Sequence, residues 1–311
     1  MRSYIIRRLL QSLIVIKGVL LIVFFMLQMT GDPASVLMPE GADQEDIEQF
    51  RKEMGFDLPL HVQYINFLVG YKENKGVLRG DFGFSYHQEL PALGLVLDHF
   101  PATALLAFTA VTIAVLISIP AGVISAVYRN SLADHVTTVG AMFGQSMPGF
   151  WLGLLLIMLF AVKLEWLPTS GADGLEYLIL PALTAGLYAT ARLTRLVRSG
   201  MLEVLGSDYI QTARSKGLLE HVVVFRHALK NASIPVVTLI GLEMGILLGG
   251  TVVVEVVFSW PGVGFLVVDS IRNQDYPVVQ AAVALLATSF VLVNLAVDIL
   301  YAWLDPRITY S

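Results

Sequence analysis

Apolar runs of membrane-crossing length alternate with shorter polar stretches along the chain, and their lengths predict its elements. Arg2, Arg7 and Arg8 precede a run from Leu9 to about Thr30. At about 1.5 Å of rise per residue, that run is long enough to cross roughly 30 Å of hydrocarbon. It exceeds the core of a signal peptide, and Thr30-Gly31-Asp32-Pro33 is no small-x-small cleavage site, so it reads as an uncleaved first span. Lys17 inside it reads as snorkelling toward the interface, with a substrate-facing charge as the alternative. A second span is expected over 102–127, with Pro120 inside it, and a third over 135–162, with Met147-Pro148-Gly149 inside it. Both prolines should kink or break their helices. A fourth span begins near Leu178 and emerges at Arg192, Arg195 and Arg198; a fifth covers 235–258 and a sixth 278–303. The expected fold class is an all-α polytopic membrane protein of six transmembrane helices. An external segment separates the first two, and a cytoplasmic loop separates the fourth and fifth.

Composition and charge sharpen this outline. A chain that is 56% hydrophobic and 14% charged carries more apolar surface than one soluble core can hide. Its net charge of −5 is unevenly spread. Between residues 31 and 100, acids such as Asp32, Glu45, Asp57, Asp81 and Asp98 outnumber Arg51, Lys52, Lys72, Lys75 and Arg79. Between the fourth and fifth spans, Arg192, Arg195, Arg198, Arg214, Lys216, Arg226 and Lys230 outweigh Glu203, Asp208 and Glu220. The positive-inside bias puts the first region outside, the second in the cytosol and both termini in the cytosol. The chain thus divides into residues 1–30 (N-terminus and first span), 31–100 (external segment) and 101–311 (five-span core with a loop at 207–233). Dispersed basic residues without interleaved aromatics argue against a nucleic-acid partner.

Enzyme chemistry finds little footing. There is no cysteine, hence no thiol nucleophile or thiolate metal site, and the six histidines lack zinc-ligand spacing. Gly144-Gln145-Ser146-Met147-Pro148-Gly149 resembles a nucleophile elbow only superficially, since its last glycine falls one place late and it sits on a membrane helix. No Gly-x4-Gly-Lys-Ser/Thr loop is present to cradle nucleotide phosphates.

The polar island from Ser207 to Pro235 is the informative exception. Ser207 or Asp208 can cap a short helix, Gly217 supplies the left-handed residue that ends it, and a second helix restarts near Leu219. Ile210, Ala213 and Gly217 share one face, and Val222, Phe225 and Leu229 form a stripe on the second helix. Two amphipathic helices without lipid to cover them suggest a docking piece for a groove on another protein. The plainer alternative is a basic solvated linker.

At these residues the chain resembles the coupling loop of ABC importer permeases, whose pattern is Glu-Ala-Ala, three residues, Gly, then Ile-x-Leu-Pro. Gln211-Thr212-Ala213 and Gly217 stand in the first part and His227-Ala228-Leu229-Lys230 in the second, deviations similar to the dipeptide, oligopeptide and nickel branch, where Arg is commoner than Gln at position 211. The external segment is similar to that branch as well, in Gly31-Asp32-Pro33, the Gly55 to Leu60 turn, Gly80-Asp81-Phe82-Gly83-Phe84-Ser85 and Pro101-Ala102-Thr103; the end matches at Asp305-Pro306-Arg307. The resemblance implies a cell inner-membrane permease forming a heterodimer with a second, related permease. It also implies two cytosolic ATPase subunits, which bind ATP and Mg, and an external substrate-binding protein. This chain would hold no cofactor or metal of its own. ATPase coupling would fall to Gln211, Thr212, Ala213, Gly217, Leu218, Arg226, His227 and Leu229. Substrates implied are di- or oligopeptides, with nickel chelates, glutathione or another small solute as alternatives.

Within the fifth span, Gly241, Gly245 and Gly249 make a groove that lets another helix approach, across a dimer or within the subunit. Glu243 and Glu255 on the same span should face a water-filled pathway or a partner group, unless Glu255 reaches the outer interface. Trp260, Pro261, Gly262 and Gly264 form an external turn similar to the family's last external loop. Six spans and arginines at every third position in the fourth also outline a voltage-gated cation channel. That outline lacks a potassium-filter sequence and acidic partners for the arginines in the first three spans.

Overall fold

The computed structural model describes residues 2–29, 34, 38, 43–72 and 74–304; Gly31-Asp32-Pro33 and Asp305-Pro306-Arg307 lie outside these. Described residues are mostly helical, with only isolated bridges such as Phe84 to Pro91 in place of strands. They form two compact units, Met1–Pro101 with Gly262–Ser289 and Ala102–Pro261 with Phe290–Ser311.

In the first unit, α1 (Arg2–Met29) brings Phe24 against Tyr64 and Phe67 of α3 (Leu60–Val69), with ring centroids 5.3 and 5.5 Å away. Between them lies α2 (Gln44–Met54), ended by Gly55 at φ +76°. Gln63 fixes the following turn, its amide nitrogen donating to the carbonyls of Phe56 at 2.9 Å and Leu58 at 2.8 Å. The apolar core of this unit joins Ala92, Leu95 and Val96, at the start of α4 (Ala92–Val127), to residues of the last two helices. These are Val263 and Leu266 on α11 (Val263–Arg272) and Val278, Ala281 and Ala282 on α12 (Tyr276–Leu304). Asp275 caps this arrangement, accepting from the Ser85 hydroxyl and, at 3.2 Å, from the Tyr86 N–H. Burial, then the charges of Asp275 and Tyr276, push the Tyr86 phenol above its ordinary range.

The second unit is built around α7 (Glu176–Leu205). Its buried residues recur every three or four positions, through Ala182, Ala185, Ala189, Leu193, Val197 and Met201, so one apolar face with small residues packs closely against neighbours. Those neighbours are α4, α5 (Leu132–Ser146), α6 (Gly149–Leu156, continued by a wider π turn at Ile157–Lys163) and α9 (Leu229–Gly250). The short helices α8 (Asp208–Ser215) and α10 (Val252–Val257) flank α9.

Among the described residues, four helical stretches are long and apolar enough to cross a membrane, Arg7–Met29, Ala92–Val127, Glu220–Gly250 and Tyr276–Leu300. Leu132–Ser146 with Gly149–Lys163 makes up to a fifth, bent by 108°. The expected third span is therefore a sharply broken pair, because Pro148 has no N–H to continue the ladder after Met147. Pro120 does not break its helix: α4 runs through it, with Ala110 and Ala114 buried before it and Val123 and Ala126 buried after it. The second helix also begins at Ala92, earlier than its apolar run.

A polar clamp joins three of the second unit's helices. Arg198 on α7 donates from Nε and Nη2 to the two carboxylate oxygens of Asp134 on α5, at 2.7 and 2.9 Å. Ser125 of α4 donates to the same carboxylate, and the Asn130 N–H adds a bond of 2.9 Å. The expectation that the arginines of this helix lack an acidic partner in the preceding spans is thus corrected at Arg198. Asp134→Ala and Arg198→Ala should each lower the thermal unfolding midpoint in detergent. The double variant should be no less stable than the worse single one, because each single change strands a charge.

Candidate functional site

The segment after α7 folds as two short pieces around Gly217. Ser207 precedes α8 in extended conformation, although its hydroxyl turns back to the Val204 carbonyl at 2.6 Å and does not cap. Gly217 has φ +77°, the left-handed region where a side chain is strained, although nothing lies within 4 Å of where a Cβ would stand. Arg214 and Glu220 close the loop over it with bonds of 3.1 and 2.6 Å. Beyond it come one turn at Glu220–Val222, a π turn at Val223–Ala228, and then α9. Asn231 of α9 donates to the Tyr209 hydroxyl at 2.7 Å, tying the two pieces together.

The apolar face expected on the first helix is not free, whereas the stripe expected on the second is half-buried at Val222 and Leu229 and exposed at Phe225. Ile210 and Ala213 are buried with Val223, Val224 and Ala228 in the cluster that contains Leu193, Val197 and Met201 of α7. The reason is simple: the chain's own core is the nearest apolar surface, and filling it removes Ile210 from water completely, at 0% exposure. What the segment shows outward is Tyr209, Gln211, Thr212, Leu218, Leu219, Phe225 and Arg226. Phe225 is 62% exposed, while His227 and Leu229 are half-buried.

The two glutamates of the fifth apolar run are both buried. Glu243, 2% exposed, approaches Arg192 Nη1 at 2.9 Å from Oε1, an ion pair without hydrogen-bond alignment. Its charge is thus met by a partner group. Glu255 is at 0% exposure, and its Oε1 accepts from Thr103 at 2.9 Å and Thr251 at 2.8 Å, so it too meets partner groups. The glycine face is occupied within the chain. A Cβ at Gly241 would stand 2.1 Å from Val297 of α12 and one at Gly245 would meet Phe290 at 3.4 Å, whereas Gly249 is exposed with nothing within 4 Å. Trp260 is buried and donates from Nε1 to the Ala102 carbonyl at 2.9 Å. Pro261 is exposed, and Gly262 and Gly264 are buried at the start of α11. In the first unit, a cavity of about 580 Å³ is lined by aromatic and amide side chains, among them Phe24, Gln28, Phe67, Tyr71, Tyr86 and Gln280. Among the described residues, no cluster of His, Asp and Glu is arranged to hold a metal ion.

Residues 118–310 match the family described as binding-protein-dependent transport system inner membrane component, and residues 1–107 match its N-terminal companion. The chain belongs to this family. It is an ABC importer permease of the dipeptide, oligopeptide and nickel branch, a transport subunit of an inner membrane. It is 43% identical to the glutathione transport system permease protein GsiC of Escherichia coli K12, over 100% of both chains. The GsiC of Shigella flexneri serotype 5b is 42% identical, again over 100% of both. A solved structure described as inward-facing conformations of the MetNI methionine ABC transporter shares the fold, with TM-score 0.56 and 18% identity over 68% of this chain and 96% of that one.

The Asp134 clamp and the Arg192–Glu243 pair were the buried ion pairs whose partners the sequence hid. Their only signal was opposite charges inside or beside apolar runs. Replacing Gly241 by leucine should lower the permease's thermal midpoint through a clash with α12, an overpacking cost of about 1–3 kcal/mol. Gly249→Ala should leave the midpoint unchanged or slightly raised in the same detergent melt.

Proposed function

We propose that this chain is half of the translocation pathway of an ATP-driven peptide importer. In this reading it pairs with a second, related permease, takes its work from two cytosolic ATPase subunits that bind ATP and Mg, and receives substrate from an external binding protein. The observation that carries the substrate class is full-length identity of 43% to a permease named for glutathione, itself a tripeptide. Di- and tripeptides are the proposed cargo, with glutathione among them.

Six spans are proposed, with α7 as the one whose arginines keep it from being apolar throughout. At about 1.5 Å per residue its 30 residues would reach roughly 45 Å, enough to cross and emerge. The charge asymmetry described above supports cytosolic termini and a cytosolic Ser207 to Asn231 segment.

Coupling is proposed to work by rigid transmission. The outward side chains Gln211, Thr212, Leu218, Phe225 and Arg226 would contact the ATPases. The inward ones, Ile210, Ala213, Val223 and Ala228, share a core with α4, α7 and α9, so movement of the segment would tilt those helices between inward and outward openings. Gly217 and half-buried His227 and Leu229 would set the shape of the elbow.

Uptake by the complete complex in proteoliposomes, with the binding protein present, tests this. A labelled dipeptide and glutathione should accumulate only with hydrolysable ATP. Gly217→Val should abolish that uptake while the chain still inserts into the membrane, because valine is strained at φ +77°. Undiminished ATP-driven uptake in that variant would count against the coupling role.

A further inference from the structure

The cavity of about 580 Å³ lies wholly within the first unit, and its walls come from separate parts of the chain: α1, α3, the Phe82 to Tyr86 turn and the start of α12. Its aromatic lining falls into two groups. Phe67 stands between Phe24 and Phe82, with ring centroids 5.5 and 6.3 Å away, and Tyr86 meets Tyr276 at 6.4 Å. Sites for small ligands have volumes of about 300–1,000 Å³ and combine such walls with a few placed polar groups.

The polar groups here are amides, and they are incompletely used. Gln280 of α12 is only 9% exposed, yet among the described residues its side chain makes no hydrogen bond. An amide carries two donors and an acceptor, and burying them unmet is costly. Gln28 of α1 donates from Nε2 to Gln63 at 3.0 Å, while Gln63 donates in turn to the Phe56 and Leu58 carbonyls. The Gln28 amide is therefore held in one orientation, with its oxygen left over. Asn66 of α3 lines the same space, and among the described residues its side chain has no bond either. Glu53 and Lys72, opposite in charge, complete the lining at exposed positions.

A lipid tail would suit the aromatic rings but would leave Gln280 buried and unmet. A peptide group brings one N–H and one C=O, the complement of an amide side chain, and an apolar peptide side chain suits the rings. The two ends of a free peptide also match Glu53 and Lys72 in sign. We propose that this cavity binds a short peptide bearing an apolar or aromatic side chain, on the permease itself and apart from the binding protein, with Gln280, Gln28 and Asn66 meeting its peptide groups. The choice of ligand rests on the peptide reading above; the site requires no place on the translocation route.

The test uses the permease and ATPase complex in phosphatidylcholine nanodiscs without binding protein. The probe is a tripeptide of alanine, benzoylphenylalanine and alanine, photolysed and mapped by mass spectrometry. Labelling should saturate, fall on cavity residues such as Tyr71 and Tyr86, and be competed by Ala-Phe-Ala. Gln280→Leu should raise the half-saturating concentration about tenfold, because a peptide group then enters without its partner. Asn66→Leu carries the same expectation should Gln280→Leu fail to assemble. Labelling that does not saturate, that falls elsewhere, or that is unchanged in the variant overturns the site. So does a photoactivatable phosphatidylcholine that labels the same residues and is not displaced by Ala-Phe-Ala. Each of these results leaves the importer reading intact if the complete complex still takes up peptide in proteoliposomes. Absence of any peptide uptake there overturns the peptide reading, and this choice of ligand with it.

Discussion

Ile210 is inserted without residual exposure into the same core that holds Leu193, Val197 and Met201 of α7, and Val223, Val224 and Ala228 join it from beyond Gly217. Burying an aliphatic side chain of this size stabilises by about 1.5–3 kcal/mol, so several together fasten a polar segment firmly to the helices behind it. A loop attached only at its two ends would bend when pushed. One attached through its apolar face moves its helices with it. The Arg214–Glu220 bond and the Asn231–Tyr209 bond are both exposed and add little energy, but they hold the outer surface in one shape.

The rest of the second unit meets a different constraint, the cost of charge away from water. Among its described residues three acids sit with almost no exposure, and each has a partner on another helix or turn: Asp134 with Arg198, Glu243 with Arg192, Glu255 with Thr103 and Thr251. Such groups are poor sources of net stability, because desolvation offsets much of the attraction. They specify which helices meet and at what register. The Asp134 clamp joins α4, α5 and α7, and Glu243 joins α9 to α7, so the helices that carry the buried segment are also pinned to one another.

Much of this was legible in the sequence where the determinant was local. Apolar run length marked the long helices, Gly217 and Gly55 marked left-handed turns, and Pro148 marked a break. Where the determinant lay across the fold, the sequence was silent or misleading. Pro120 looks like Pro148 in one dimension, yet packing on both sides carries α4 through it. Ile210 and Ala213 read as a face for a partner because helical periodicity reveals that a face is apolar, not what covers it. The glycine groove was visible, but only Val297 and Phe290 show that its occupant is α12 of the same chain. Glu243 called for a water-filled pathway or a partner group, and only the fold shows that Arg192, far earlier in the chain, is that partner.

The absence of cysteine makes the central proposal, an elbow whose outer face meets a separate motor, directly measurable. Single cysteines at Leu218, Phe225 and Ile210, each carrying a short photo-cross-linker, would be activated in the assembled complex. Products joining Leu218→Cys and Phe225→Cys to an ATPase subunit, with none from Ile210→Cys, are the predicted result. No ATPase product from the two exposed sites, or an equal yield from the buried one, would contradict the account.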